Sequence, residues 1–308
     1  MSLDNTPKVS VLIPVYNMES YIEDAINSVL NQTFTHFEII IVDNKSTDNT
    51  YEKLSKYNNN PNIKIYQNER NLGMVQNWNS CLYYAKGEYI KFLNADDILN
   101  NRALECFVKI LDEHKDVSLV TSHYKSFGDE EKMYITSKGA EKQDGKIAIS
   151  KLLQTQNYIG CPTQVIFRRD HLYLGTFNIA STWWSDMDLW FRLLLNGNLF
   201  IIDEILTQNR SHPTQVSHEF ANNKSLLAMY YFYTSLLKSD NYGFCDMILH
   251  KKIRDCRFML YYLGIKDILK GKPSGWQLLK ASDNELFSFS SLKLPTFVVR
   301  KVFRKVKS

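Results

Sequence analysis

A chain of 308 residues accommodates one large domain plus an appendage, and its 44% hydrophobic and 23% charged residues are ordinary usage for a protein that buries a sizeable core. A formal charge of +4 is too small at this length to suggest a nucleic-acid partner, which calls for a basic stripe along the chain. Five cysteines, odd in number and without a Cys-x-x-Cys pair, speak against a disulfide framework or a zinc cluster and for reduced thiols.

Residues 9–15, VSVLIPV, form an apolar β-branched run ending at Tyr16-Asn17, the pattern of a buried strand. Residues 19–31 place Tyr21, Ile22, Ala25, Ile26, Val29 and Leu30 at helical spacing. A second buried strand, FEIIIV over 37–42, ends at Asp43, and 46–56 opens with capping residues before a helical stretch. Strands are predicted at 63–67, 89–93, 117–122 and 163–168, and helices at 73–86, 101–114, 148–154 and 186–196. The polar, glycine-bearing stretch 124–147 reads as a loop or an edge hairpin. Beyond about residue 220 the pattern turns helical, over 222–238 and 244–270. Alternating strands and helices predict an α/β fold with a mostly parallel sheet flanked by helices, and ligands on such sheets bind beyond the carboxyl ends of the strands. Asn17, Asp43 and Asn94–Asp97 stand at those ends. No window approaches the ~18 apolar residues of a membrane span, and no cationic, then apolar leader opens the chain, so a cytoplasmic protein is expected.

Four constellations can carry chemistry. Asn94-Ala95-Asp96-Asp97 follows a strand, where carboxylates can hold Mn2+ or Mg2+ beside a diphosphate; the same residues also suit a helix start. Asp43-Asn44-Lys45-Ser46-Thr47-Asp48 suits a base or ribose contact, or equally a capped turn. Asp186 lies in the aromatic run Trp183–Trp190, where partial desolvation suits a general base; an N-cap is the plainer alternative. His212, in Arg210-Ser211-His212-Pro213, is a metal ligand or a structural histidine.

Taken in order, VSVLIPVYN, IIIVDNKSTDNT, NERNLGMVQNWN, YIKFLNADD, SDMDLWFRLLLNG and RSHPTQVS resemble the large bacterial family-2 glycosyltransferases with the GT-A fold, over about residues 8–218. The resemblance implies a nucleotide-sugar-binding and catalytic domain over 1–220 and a helical C-terminal region over 221–308. It implies an inverting, metal-dependent hexosyl- or N-acetylhexosaminyltransferase, with a UDP-sugar the favoured donor and dTDP or GDP donors open. The acceptor would be a hydroxyl of a glycan or lipid-linked molecule in envelope polysaccharide or glycoconjugate synthesis. Residue by residue, Pro14, Val15 and Tyr16 would line the nucleobase pocket, Asp43 would pair with the base and Arg70 would close over it. Asn94 and Ala95 would lie along the donor, Asp96 and His212 would hold Mn2+ or Mg2+, and Asp186 would be the catalytic base. Trp183 and Trp184 would stack on an acceptor sugar or, equally, pack in the core. Two positions depart from the family pattern: Asn94 replaces the first acid of Asp-x-Asp, and Ser185 stands where a second acid often precedes the base. An alternative from another class is a nucleotide-sugar-binding module weakened at Asn94.

Rival nucleotide folds lack their phosphate loops here: neither GxGxxG nor GxxxxGK[ST] follows the first strand. At the far end, residues 293–308 carry six basic residues and no acid, interleaved with Phe297, Val298, Val299, Val302, Phe303 and Val306, the composition of a helix that lies on an anionic membrane surface at the inner face of the cell membrane, or of one docked on its own domain.

Overall fold

The computed structural model describes residues 6–155, 157–213, 215 and 223–282. The chain divides into two units, residues 1–215 and 216–308. The first unit runs β1 (Val9–Val15), α1 (Ile22–Leu30), β2 (Phe37–Asp43), α2 (Thr50–Ser55), β3 (Ile63–Gln67), α3 (Met74–Tyr84), β4 (Tyr89–Phe92), β5 (Ile98–Leu99), α4 (Ala103–Glu113), β6 (Val117–Gly128), β7 (Lys132–Tyr134), β8 (Glu141–Gln143), α5 (Gly145–Gln154), β9 (Val165–Arg168), α6 (Ser185–Leu194) and β10 (Asn198–Ser211). The second unit contains α7 (Asn223–Leu237), α8 (Asp246–Leu269) and α9 (Ser274–Ser282).

The strands form one sheet in the order β3-β2-β1-β4-β9-β6-β10-β5, with β7 beside β6 and β8 beside β10. β3, β2, β1 and β4 are all parallel. β9 enters antiparallel between β4 and β6, and β6 and β10 are again parallel. Almost every residue of β1 and β2 is buried, which is why their sequences are continuous apolar runs rather than alternations: both faces are covered. Val9, Val11 and Ile13 share one apolar cluster with Ile22 and Ile26 of α1 and Phe107 and Leu111 of α4, while α3 packs on β1 and β2. Each fully buried aliphatic side chain there contributes about 1.5–3 kcal/mol of transfer free energy.

The observed elements differ from the sequence expectation in the second half of the unit. The strand expected over 117–122 continues to Gly128 and forms a hairpin with β7, so the polar stretch is an edge hairpin at its start. The strand expected at 163 begins with a one-turn 3-10 segment, Pro162–Gln164, forced by Pro162 at its first position. The longest strand, β10, has no counterpart in the sequence expectation. Its pairing with β6 shifts register between Ile202 and Ile205, where exposed Asp203 and Glu204 form a bulge that breaks the alternation. The small α9 is likewise absent from the sequence expectation; Gly275 at its start lets it lie against Gly264 of α8, where an added Cβ would stand 2.6 Å from the Gly264 carbonyl oxygen. Among the described residues no helix is long and apolar enough to cross a membrane. The basic tail 293–308 lies outside the described residues.

Candidate active site

The carboxyl ends of β1 and β2 are bound to each other by side chains. Asn17 takes a left-handed conformation (φ 53°), which Asn tolerates better than most residues, and its Oδ1 accepts from the Thr47 amide at 2.8 Å. The Asn17 amide donates to Ser46 Oγ, and the Met18 amide to Thr50 Oγ1. Asp43 is fully buried; its carboxylate accepts from the Ser46 amide and hydroxyl and from Gln67 Nε2 at 2.8 Å. Next to it, Asn44 holds the following loop: its Oδ1 accepts from Asn68 Nδ2 and the Leu72 amide, and its Nδ2 donates to Asn71 and to the Gly73 carbonyl. Asn77 of α3 closes this lattice, accepting from Asn68 and donating to the Val42 carbonyl. Val15 is buried, Pro14 half-buried and Tyr16 exposed at this edge. Arg70 is exposed on the loop with no hydrogen bond or ion pair among the described residues, so it is adjacent to the strand ends without being brought into contact with them.

The turn after β4 separates the two neighbouring acids. Asp97 points inward: its carboxylate accepts from Thr163 Oγ1 (2.6 Å), the Arg210 amide (3.0 Å) and Asn94 Nδ2 (3.1 Å). Burial, reinforced by the Asp96 charge, pushes its carboxyl well above the usual range. Thr163 is a hub, since its hydroxyl also accepts from the Asn94 amide and its carbonyl accepts from the buried Lys91 ammonium. Burial pulls Lys91 down to about 7. Asp96 points the other way, its Oδ2 lying 3.0 Å from His212 Nε2, just past the end of β10. Arg210 fixes this arrangement: its Nε donates to the Asp96 carbonyl, its guanidinium pairs with Asp24 at 2.7 Å, and it stacks between Tyr21 and Phe127. Ala95, between Asn94 and Asp96 in the chain, is buried. Asn94, Ala95, Asp96 and His212 are therefore gathered at one place.

Asp186 sits in the first turn of α6, where its Oδ1 accepts from the Met187 amide at 2.7 Å. Burial raises its carboxyl from the ordinary value to about 6, against the opposing effect of that backbone bond. Its charge is felt by the thiol of Cys161, whose sulfur accepts from Asn94 Nδ2 and Asn209 Nδ2. The Ser185 hydroxyl is buried with no hydrogen-bond partner among the described residues. Trp183 and Trp184 are half-buried on the 3-10 segment Ile179–Trp184 that leads into α6. That segment is strapped down from both sides. Arg192 of α6 pairs with Asp188 and donates to the carbonyls of Leu174, Gly175 and Thr176. Asn79 of α3 exchanges both amide bonds with the Phe177 backbone, and the Phe177 ring packs against Trp78 and Phe92.

Thr163, Arg210 and Asn44 organise the site, yet the sequence reading assigns none of them a role. Thr163 has no motif around it, and Arg210 stands on β10, a strand that the sequence expectation lacks.

The sequence model of the family described as "Glycosyl transferase family 2" matches residues 10–174, more than half of the chain. The chain belongs to this family. As a family-2 glycosyltransferase it is a transferase enzyme, and its fold matches solved relatives. It is 32% identical over 195 residues to the UDP-Glc:alpha-D-GlcNAc-diphosphoundecaprenol beta-1,3-glucosyltransferase WfgD of Escherichia coli, covering 63% of this chain and 73% of WfgD. It is 40% identical over 117 residues to the poly(ribitol-phosphate) beta-N-acetylglucosaminyltransferase TarS of Staphylococcus aureus, a stretch that covers 37% of this chain and 20% of TarS. The structure of TarS 1–349 from S. aureus in complex with UDP-GlcNAc superposes with a TM-score of 0.69 at 23% identity, covering 97% of this chain and 85% of that one. A Pyrobaculum calidifontis mannosyltransferase in complex with GDP-Man and Mn2+ superposes with a TM-score of 0.56 at 16% identity, covering 97% and 80%. These two superpositions establish the GT-A fold.

Among the described residues no three His, Cys, Asp or Glu side chains cluster as a metal cage. The Asp96 oxygen and His212 nitrogen nevertheless form a two-ligand donor set that suits Mn2+ or Mg2+ when the remaining positions are filled by diphosphate oxygens and water.

Proposed function

We propose that this enzyme moves a sugar from a nucleotide-diphosphate donor, a UDP-sugar by preference, to a hydroxyl of a glycan or lipid-linked acceptor, with inversion at the anomeric carbon. Envelope polysaccharide or glycoconjugate assembly is the setting this reading favours. The observation that carries it is the buried carboxyl of Asp186 in the first turn of α6, raised to about 6, with its charge felt at Cys161, whose sulfur accepts from Asn94 of the turn after β4. A carboxyl of that pKa is ionised at neutral pH and still basic enough to accept a proton in the transition state.

In this reading the ends of β1 and β2 take the nucleobase between Tyr16 and the loop carrying Arg70. Asp43 serves the base only when Gln67 or Ser46 gives up a bond to it, since both its oxygens are engaged. Asp186 takes the proton of the acceptor hydroxyl as that oxygen bonds to the anomeric carbon from the face opposite the nucleotide. The carbon–oxygen bond to the diphosphate breaks, and its electron pair leaves on the phosphate oxygen. Held by Asp96 and His212, Mn2+ or Mg2+ would neutralise charge on the diphosphate, Lewis-acid help of several kcal/mol. Asn94 keeps an oxygen at the first position of the acid pair without its charge. Trp183 and Trp184 flank the base and offer an aromatic surface to the acceptor. The tail 293–308 would hold the enzyme at an anionic membrane surface, where lipid-linked acceptors reside; a chain ending before residue 293 should lose affinity for anionic liposomes.

The reading as a weakened binding module gains nothing from the named relatives, which are transferases. The deciding experiment incubates the protein with a panel of nucleotide sugars and Mn2+ or Mg2+ and follows nucleoside diphosphate release. Release from one donor, lost on chelation and reduced about 10²–10⁴-fold in Asp186→Asn, is expected. Asp186→Asn turning over as fast as the parent chain would remove Asp186 from the role of base.

A further inference from the structure

An open groove of about 330 Å³ runs along the outer side of α3. Gln76, Asn79, Ser80 and Tyr83 recur along α3 at spacings of three and four, so one helical stripe forms much of the groove's length, with Leu72 of the preceding loop beside it. Asn68 and Tyr84 border it on the β3 side and Ile179 on the other. Its volume is at the lower limit of a small-molecule pocket, and it is open where such pockets enclose their ligand, which suits a chain that enters and leaves.

The chemistry of the lining is selective. None of the lining residues is charged, so the groove offers nothing to a phosphate-rich ligand. Tyr83 is 84% exposed; its ring leans edge-on against Tyr84, which is itself stacked on Tyr66, so Tyr83 presents an aromatic surface from a fixed base. The Gln76 carboxamide and the Tyr83 hydroxyl have no hydrogen-bond partner among the described residues. Aromatic surface beside an unengaged carboxamide and hydroxyl matches a pyranose, whose C–H face is apolar and whose rim is hydroxyls.

Residues on both borders of the groove are joined to elements of the site described above. Asn68 is bonded to Asn44 and Asn77 in the lattice at the ends of β1 and β2. Ile179 opens the 3-10 segment that ends at Trp184, directly before α6 and Asp186, and Asn79 clamps that segment through Phe177.

We infer that the α3 groove binds the acceptor as a linear, uncharged glycan, holding sugar units remote from the reacting hydroxyl. This rests on the transferase reading and adds the acceptor's class and path. Contacts to remote units supply binding energy that orients the reacting end, so longer acceptors bind and react better than short ones.

The test uses the full chain with two probes: UDP by calorimetry, and an immobilised panel of uncharged oligosaccharides of bacterial type, from one to six units. The expected result is retention that grows with oligosaccharide length, weakened roughly 3- to 10-fold by Tyr83→Ala and by Gln76→Ala, with UDP affinity unchanged. A chain that binds UDP but retains no oligosaccharide, or retains them equally in both variants, overturns the inference. A dimer that Tyr83→Ala dissolves, with no glycan retained, assigns the groove to a second copy and overturns it too. Absence of donor turnover alone counts against the transferase reading and leaves a length-dependent, Tyr83-dependent glycan site standing.

Discussion

The two sides of the site are built by opposite means. At the ends of β1 and β2, the loops are laced by many short bonds among Asn17, Asp43, Ser46, Asn44, Asn68 and Asn77, to backbone groups and to one another. On the other side, the strap from Leu174 to Trp184 that carries the tryptophans to Asp186 is anchored at its start, Leu174–Phe177, by long side chains from two helices, Arg192 and Asn79, and by the Phe177 ring. A lattice loses one bond and keeps its shape; a strap loses one anchor and moves. Small displacements matter most at reacting atoms, so the strap side should govern turnover and the laced side should govern donor affinity.

Arg192→Leu breaks the comparison most sharply. It orphans three carbonyls and Asp188, and we expect turnover to fall by up to ~10²-fold with UDP affinity nearly unchanged, read as kcat against a calorimetric Kd. Asn44→Ala works on the other side: four bonds go, UDP affinity should weaken about tenfold, and the melting temperature should fall by an amount corresponding to ~1–3 kcal/mol. A pH profile sharpens the same contrast. Turnover under saturating donor should rise with pH and level off above the Asp186 value of about 6, while UDP affinity shows no step there. The smallest effect is on stability. Folded Asp186 keeps its proton to about 6 whereas the unfolded chain releases it near 3.8, so ionisation weakens the fold as pH rises through that window. Asp186→Asn removes that penalty and should raise the melting temperature at pH 7.5 by roughly 2–4 °C, measured by calorimetry.

How much of this was legible in the sequence depends on the range of the interaction. β1 and β2 announce themselves because burial on both faces writes a nearly continuous apolar run. Asp96 and His212 were legible as a pair only through the family resemblance, since 116 positions separate them and no spacing rule joins them. Which of Asp96 and Asp97 faces inward was not legible, because it is decided by Thr163 and by the Arg210 amide, both distant in sequence. β10 was hidden for a local reason: Asp203 and Glu204 interrupt its apolar run at the point where a strand reader looks for alternation. The lattice of asparagines was hidden because asparagine in a loop looks the same whether it bonds its own turn or another.

The bulge in β10 sets the phase of everything downstream on that strand. Asp203 secures it by bonding His123 at 2.9 Å. Beyond it, Asn209 turns toward Gln164 and Cys161, while the side chain of Arg210 turns toward the Asp96 carbonyl and Asp24. Because neighbouring strand residues face opposite ways, deleting Glu204 would exchange these two partners and carry His212 away from Asp96. The strand therefore behaves like a reading frame. A substitution at 203 costs the bond to His123 and leaves the count intact, whereas a change of length there is a frameshift in three dimensions.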